Sequence, residues 1–323
     1  MNNLVKTVLE NGGTIAPLLI PSDLTNGTGL TNPTILVDGN KILVNLRHVQ
    51  YTLYHTNGKF ENRWGPLAYL NPENDITLRT TNYYCEIVNN KITRYNKVDT
   101  STFDIEPVWE FIGLEDARLV KWDGKLYLSG VRRDTKLNGE GRMELSEIEV
   151  GPNYVKEISR FRIPPPIDDS SYCEKNWMPI IDIPYHYVKW TNPTEVVKVD
   201  PINKTSEQVY LGEPYNSKRD IRGGSQVIPI GDYYVAITHE VDLWKNKNKN
   251  KMARYYHRIV IWDKQWNVVN ISDDFSFMTG MIEFSCGMAK YKNNILVTFG
   301  YEDNAAYLLT IPKKYFLKLC KLN

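Results

Sequence analysis

The sequence predicts an all-β protein, a five-bladed β-propeller, on three observations. Long helical periodicity is scarce. Short runs rich in Val, Ile, Tyr and Phe are broken by Gly, Asn, Asp and Pro, the texture of many short antiparallel strands. One pattern, a polar cluster, an apolar strand, a tight turn and a second apolar strand, occurs five times.

The first copy runs from Asn32-Pro33 through Thr34-Ile35-Leu36-Val37, turns at Asp38-Gly39 and returns as Ile42-Leu43-Val44-Asn45. The second opens at Glu115-Asp116-Ala117-Arg118, turns at Asp123-Gly124 and returns through Leu126-Tyr127-Leu128-Ser129. The third opens at Lys175-Asn176-Trp177, runs to Ile183-Pro184 and returns as Tyr185-His186-Tyr187-Val188. The fourth opens with Arg222-Gly223-Gly224, turns near Gly231-Asp232 and returns as Tyr234-Val235-Ala236-Ile237. The fifth opens with Glu283-Phe284, turns at Asn293-Asn294 and returns as Ile295-Leu296-Val297-Thr298. Asp-Gly pairs mark hairpins because a type I′ turn needs positive φ at both central positions. A hairpin alone is marginal in water, so five must pack together, and radial packing does this while protecting strand edges. A β-sandwich explains the hairpins but not the polar cluster before each. Residues 1–323 are therefore expected to form one domain, with blades starting near 32, 115, 175, 222 and 283.

Composition narrows the partners. Thirty-nine basic against 38 acidic residues leave a formal charge of +1, which gives no reason to expect nucleic acid or a membrane surface. Eight Trp and 21 Tyr suit strands, and they also offer flat platforms for sugar rings. Cys85, Cys173, Cys286 and Cys320 lie far apart without a C-x-x-C pair, so neither a zinc site nor a disulfide framework is expected. The start lacks a signal-peptide apolar region and no window reaches a membrane span. The expectation is a cytoplasmic protein that needs no metal or cofactor.

In a propeller the first strand of each blade lines the axis, and all such strands run the same way. Their polar starts, and the ends of the returning strands, then meet at one end of the channel. This gathers Asn32, Arg47, Asp116, Arg118, Lys175, Arg222, His239, Glu283 and Asp303. Carboxylates, amides and guanidinium groups suit the hydroxyl edge of a sugar, and Trp177, Trp190 or Tyr301 would take its face. Along a regular strand Asp116 and Arg118 share one side and Glu115 the other. Asp116 is the candidate general acid, since that role needs a carboxyl held beside the bond to be broken. Lys175, next to Asn176, suits an anion or a hydroxyl. His239 is the side-chain type that exchanges a proton near neutrality. Arg133 ends a returning strand and would meet an anion. The Lys245–Lys251 stretch reads as an exposed loop, and Pro164-Pro165-Pro166 as a rigid connector. Residues from Lys313 onward would complete or cover a blade.

Four motifs together carry a resemblance: Gly113-Leu114-Glu115-Asp116-Ala117-Arg118, Lys175-Asn176-Trp177-Met178-Pro179, Gly223-Gly224-Ser225-Gln226 ahead of His239, and Gly300-Tyr301-Glu302-Asp303. From about Asn32 to Pro312 the chain resembles glycoside hydrolase family 130, mostly β-mannoside phosphorylases, and the related glycosyltransferase family 108. The resemblance implies that Asp116 protonates the glycosidic oxygen. It implies further that phosphate is held by Lys175 and His239 with Arg222 and Arg133, and the glycan by the remaining motif residues, Gln226 included. Where the family motif usually has Pro, this chain has Ala117. The implied ligands are an oligosaccharide, a sugar phosphate or nucleotide sugar, and inorganic phosphate. Three functions stay open: glycosyl transfer or phosphorolysis, hydrolysis by water, and non-catalytic sugar binding within a glycan assembly system.

Overall fold

The computed structural model describes residues 2–25, 28–54, 68–70, 77–167, 171–247 and 251–322. The centre of the Lys245–Lys251 stretch lies outside them. Among the described residues the only α-helices are Leu4–Glu10 and Lys313–Leu319, seven residues each; the remaining architecture is β, and neither helix is long and apolar enough to cross a membrane.

The strands form five antiparallel meanders of four. The first comprises Leu30–Asp38, Lys41–Val49, Leu78–Val88 and Lys91–Asp99. The second comprises Glu115–Trp122, Lys125–Arg132, Arg142–Val150 and Val155–Arg162. The third takes Met178–Pro179, His186–Thr191, Thr194–Asp200 and Thr205–Leu211. The fourth takes Ile228–Ile230, Tyr233–Lys245, Lys251–Trp262 and Val268–Ile271. The fifth takes Glu283–Tyr291, Asn294–Tyr301 and Ala305–Pro312, and is completed by Thr14–Pro17 from the other end of the chain. A short parallel pairing of Val155 and Lys156 with Val98 and Asp99 merges the first two into one sheet, to which Phe111–Ile112 adds a ninth strand beside Leu78–Val88.

The hairpins form where the turn residues demand, with small shifts. Asp123 and Gly124 both adopt positive φ, 50° and 79°, as a type I′ turn requires. Gly39 instead takes the first central position, because Asp38 still pairs with Lys41. In the fifth meander the turn is Lys292-Asn293, one residue earlier than expected, since Asn294 already pairs with Tyr291. Residues Lys313–Leu319 cover the fifth meander as a helix and bury Phe316.

Each sheet buries both faces against its neighbours. Leu36 and Leu43 of the first meander meet Leu119 and Leu128 of the second. Trp122 and Leu145 of the second meet Tyr187 and Val197 of the third. Val188 and Val196 meet Ala236 and Trp262 of the fourth, and Ile237 and Ile261 meet Val297 and Leu309 of the fifth. Ala289 and Leu308 then meet Val44 and Leu46 of the first, so the order of packing returns to its start. Each buried Leu, Ile or Val among them contributes about 1.5–3 kcal/mol by leaving water.

The starting strands converge on one another. Thr34 Oγ1 accepts from the Leu119 amide at 3.0 Å. Gln226, fully buried, donates to the carbonyls of Ile35 and Leu119 and accepts from the Met288 amide. One side chain just ahead of the fourth meander thus ties together the first, second and fifth. The amide suits this position because it donates and accepts at once where no water reaches.

Candidate active site at the axis

The polar starts of the inner strands are shaped by a shared irregularity. Between Thr31 and Thr34 the register advances three residues against two on the partner strand, and the same occurs between Glu115 and Arg118 and between Phe284 and Gly287. Such a bulge re-aims side chains that regular alternation would place elsewhere. Asn32, Asp116 and Asn176 sit in the left-handed region with φ of 41°, 49° and 62°, which short polar side chains tolerate best. At the corresponding place in the fourth meander stands Gly224, where a Cβ would lie 2.3 Å from the Ile237 carbonyl oxygen.

The bulge carries the Asp116 carboxylate into a tight cluster. Its Oδ1 accepts from Asn32 Nδ2 at 2.8 Å and from Arg47 Nη1 at 2.7 Å. Arg47 also donates to Thr80 Oγ1 through Nε and Nη2, and its Nη2 lies 3.7 Å from Glu115 Oε2. The side chains of Glu115 and Asp116 remain 16% exposed, so the cluster is open to a ligand. Tyr51 donates to Asp303 Oδ2 at 3.4 Å.

These neighbours set three carboxyl groups apart. Burial pushes Asp116 up, but Arg47, Arg118 and the Asn32 amide outweigh it and hold the group below its ordinary range. Glu115 is raised by burial despite Arg47. Asp303 is pushed up to about 6 by burial, with Arg47 opposing and Asp116 adding to the rise. At neutrality Asp116 is ionised, and Asp303, with its pKa raised to about 6, takes up a proton more readily than Asp116 as pH falls.

Arg118 serves the protein rather than a ligand. It is 1% exposed and donates to the Gly224 carbonyl through Nε and Nη2, to the Asp116 carbonyl through Nη1, and to Asn176 Oδ1 at 3.4 Å. Its partner on Asp116 is the backbone, because the bulge has turned the carboxylate away. Trp177, expected to offer a face to sugar, is also 1% exposed. Its ring packs on Tyr187 and its Nε1 donates to Glu174 Oε2. Glu283 accepts from the amides of Phe277, Met278 and Gly280 and so shapes that turn. Tyr301 is half-buried with its ring against Gly280.

Three further cations act on groups of the cluster. Lys175 is exposed and acts on Glu115, Asp116 and His239. Arg222 acts on His239 and Tyr255. Arg133 lies between the rings of Phe111 and Tyr172, bonded to the Gly139 carbonyl and Tyr172 hydroxyl, and its charge reaches Glu115. His239, expected as a phosphate holder, is kept uncharged: burial foremost, then His257, Arg222 and Lys175, hold its pKa well below the ordinary value. Tyr51 and Tyr255 were not legible as site residues, since neither belongs to a repeated polar cluster. Tyr255 stacks on His239 at 5.5 Å and lies near Asp303 and Asp116. Among the described residues no three His, Cys, Asp or Glu side chains are grouped as a metal would need, and all four cysteines are free.

The raised Asp303 has a consequence for stability. Its folded pKa of about 6 exceeds the ordinary 3.8, so burial of the ionised form costs stability as pH rises from about 4 through 6. Asp303→Asn is expected to stabilise the protein by roughly 2 kcal/mol at pH 7.5, with the gain vanishing near pH 4. Urea midpoints across that range measure it.

No family model matches the sequence, and no curated protein matches it significantly. The architecture, in contrast, is shared with solved glycoside phosphorylases and glycosyl hydrolases. A β-1,2-mannobiose phosphorylase from Listeria innocua, solved with β-1,2-mannobiose, superposes with a TM-score of 0.54 at 12% identity, over 95% of this chain and 96% of that one. MPT-4, a mannose phosphorylase from Leishmania mexicana solved with a phosphate ion, gives 0.51 at 11% identity, over 97% and 93%. A glycosyl hydrolase from Bacteroides ovatus gives 0.54 at 12% identity, over 89% and 85%. At such identities the likeness is one of fold.

Proposed function

We propose that residues 1–323 form a single five-bladed β-propeller that acts on a β-mannoside-like glycan by phosphorolysis or the reverse transfer. Five meanders packed in cyclic order support the propeller. The observation that carries the chemistry is the Asp116 carboxylate, aimed by a bulge into the axial cluster, bonded to Arg47 and acted on by Asp303 and Lys175. The phosphorylases that share the fold bind a mannobiose and a phosphate ion.

In this reading a phosphate oxygen attacks the anomeric carbon as the glycosidic C–O bond breaks. The bonding pair leaves on the glycosidic oxygen, which takes a proton from Asp116. Asp116 is ionised in the free site, so it must first acquire that proton. A sugar that covers its remaining exposure strengthens the burial that already pushes its pKa up, and the proton comes from solvent, with Asp303 placed to relay it because its own pKa is raised to about 6. Phosphate carries the attacking charge itself and needs no strong base. Its charge is met by Lys175 and Arg222, while Asn32, Tyr51 and Tyr255 border the sugar.

Hydrolysis is the second reading, favoured by the presence of Glu115 and Asp303 beside Asp116, either of which would activate water. The test is incubation with β-mannosides, with and without inorganic phosphate, and in reverse with mannose 1-phosphate or GDP-mannose and acceptors. Phosphate-dependent release of mannose 1-phosphate is expected. Free mannose released without phosphate would establish the hydrolase instead, and no turnover of any donor would leave a sugar-binding module.

A further inference from the structure

The His239 imidazole is held in one protonation state by its surroundings. Its Nδ1 lies 2.8 Å from the Gly223 carbonyl oxygen. A carbonyl only accepts, so Nδ1 carries the hydrogen. The contact is not incidental, because Arg222 and His239 exchange both backbone hydrogen bonds, at 2.8 and 2.9 Å, and this brings Gly223 against the ring. The ring is stacked on Tyr255 and met edge-on by Phe284. Lys175, Arg222 and the His257 ring, paired directly across the hairpin, all oppose a second proton.

An imidazole with hydrogen on Nδ1 and no net charge has a lone pair on Nε2. No side chain or backbone donor among the described residues meets that nitrogen, and it is not among the enclosed polar atoms that lack a partner. It is therefore open, in a residue otherwise 3% exposed, whose ring stacks on Tyr255, the side chain that the charges of Asp303 and Asp116 reach. A group seated there must bring its own hydrogen. Lys175 and Arg222 act on the ring, but at Nε2 itself an oxyanion oxygen would face a lone pair.

We propose that His239 is a specificity-determining hydrogen-bond acceptor of the axial site, selecting a ligand O–H, from either a sugar hydroxyl or a protonated phosphoryl oxygen, and turning away a bare oxyanion. This rests on the axial site being the glycan- and phosphate-binding site. It assigns to His239 the opposite polarity from a phosphate-holding cation. A phosphate bound by Lys175 and Arg222 would then point its P–OH at Nε2, a contact that sulfate at neutral pH cannot make.

Two measurements test it. Long-range proton–nitrogen NMR of the histidine side chains, with His239 assigned through His239→Phe, should show Nδ1 protonated and Nε2 bare at neutral pH. A proton on Nε2, or a charged ring, overturns the proposal whatever the protein does. Calorimetric titration with phosphate, sulfate, mannose and the singly deoxygenated mannoses separates the two sources of O–H. A preference of about ten-fold for phosphate over sulfate identifies P–OH as the group on Nε2. A similar loss with one deoxy sugar identifies that hydroxyl. Either preference should collapse in His239→Phe, whose ring keeps the stacking. If neither preference exists, or if it survives in His239→Phe, while β-mannoside turnover is intact, the selectivity role fails and the functional reading stands. Absence of both turnover and binding overturns both.

Discussion

Asp116→Asn should lower β-mannoside turnover by about 10²–10⁴-fold, the usual contribution of a positioned general acid, with little change in fold. Asparagine has nearly the same size and tolerates the left-handed backbone that Asp116 occupies at φ 49°. Its amide oxygen still accepts from Asn32 and Arg47. What it lacks is an ionisable oxygen that can take up a proton and pass it to a leaving group. The charge of Arg47 is not stranded, because Glu115 lies 3.7 Å away and Asp303 also acts on it. The loss should therefore appear in kcat rather than KM, and the melting temperature should move little. Turnover retained within a factor of a few would remove Asp116 from the mechanism.

Arg118→Met should destabilise the protein by about 2–5 kcal/mol, because two buried carbonyls each lose a charged donor at about 1–3 kcal/mol. The guanidinium emerges from the second meander and crosses to the Gly224 carbonyl at the start of the fourth, to Asn176 before the third, and over the Phe284 ring of the fifth. Methionine fills part of the volume but leaves the Gly224 and Asp116 carbonyls without these donors. The backbone oxygen of Asp116 is one of its acceptors at 2.7 Å, so the bulge should loosen too. Urea unfolding of the variant measures the loss. A change below about 1 kcal/mol would mean that water replaces the guanidinium. Lysine should rescue little, since one ammonium cannot reproduce the planar fork on Gly224.

Much of the architecture was readable because its signals are local. The Asp123-Gly124 turn, the apolar runs Ile35 to Val37 and Leu126 to Leu128, and the recurrence of a polar start each depend on residues close in sequence. The meeting of Asn32, Arg47, Asp116 and Asp303 followed from the repeat, since equivalent positions in a ring share one end of the axis. The fates of Trp177 and Gln226 did not. Whether an aromatic ring or an amide faces the channel or the packing between sheets depends on the local backbone just before it, left-handed at Asn176 and closely packed on the Ile237 carbonyl at Gly224.

The sequence by itself determined that polar residues from distant strands would gather around Asp116, because repetition of a local pattern imposes its own geometry. Only the tertiary structure decided what each of them does there. Arg118 was drawn inside to bind carbonyls, Tyr51 and Tyr255 were added from unrepeated positions, and the surroundings moved the proton affinity of Asp116 and His239 down and that of Asp303 up. The physical reason is that desolvation and Coulomb interaction act over a few ångströms through space, a distance that sequence separation does not encode.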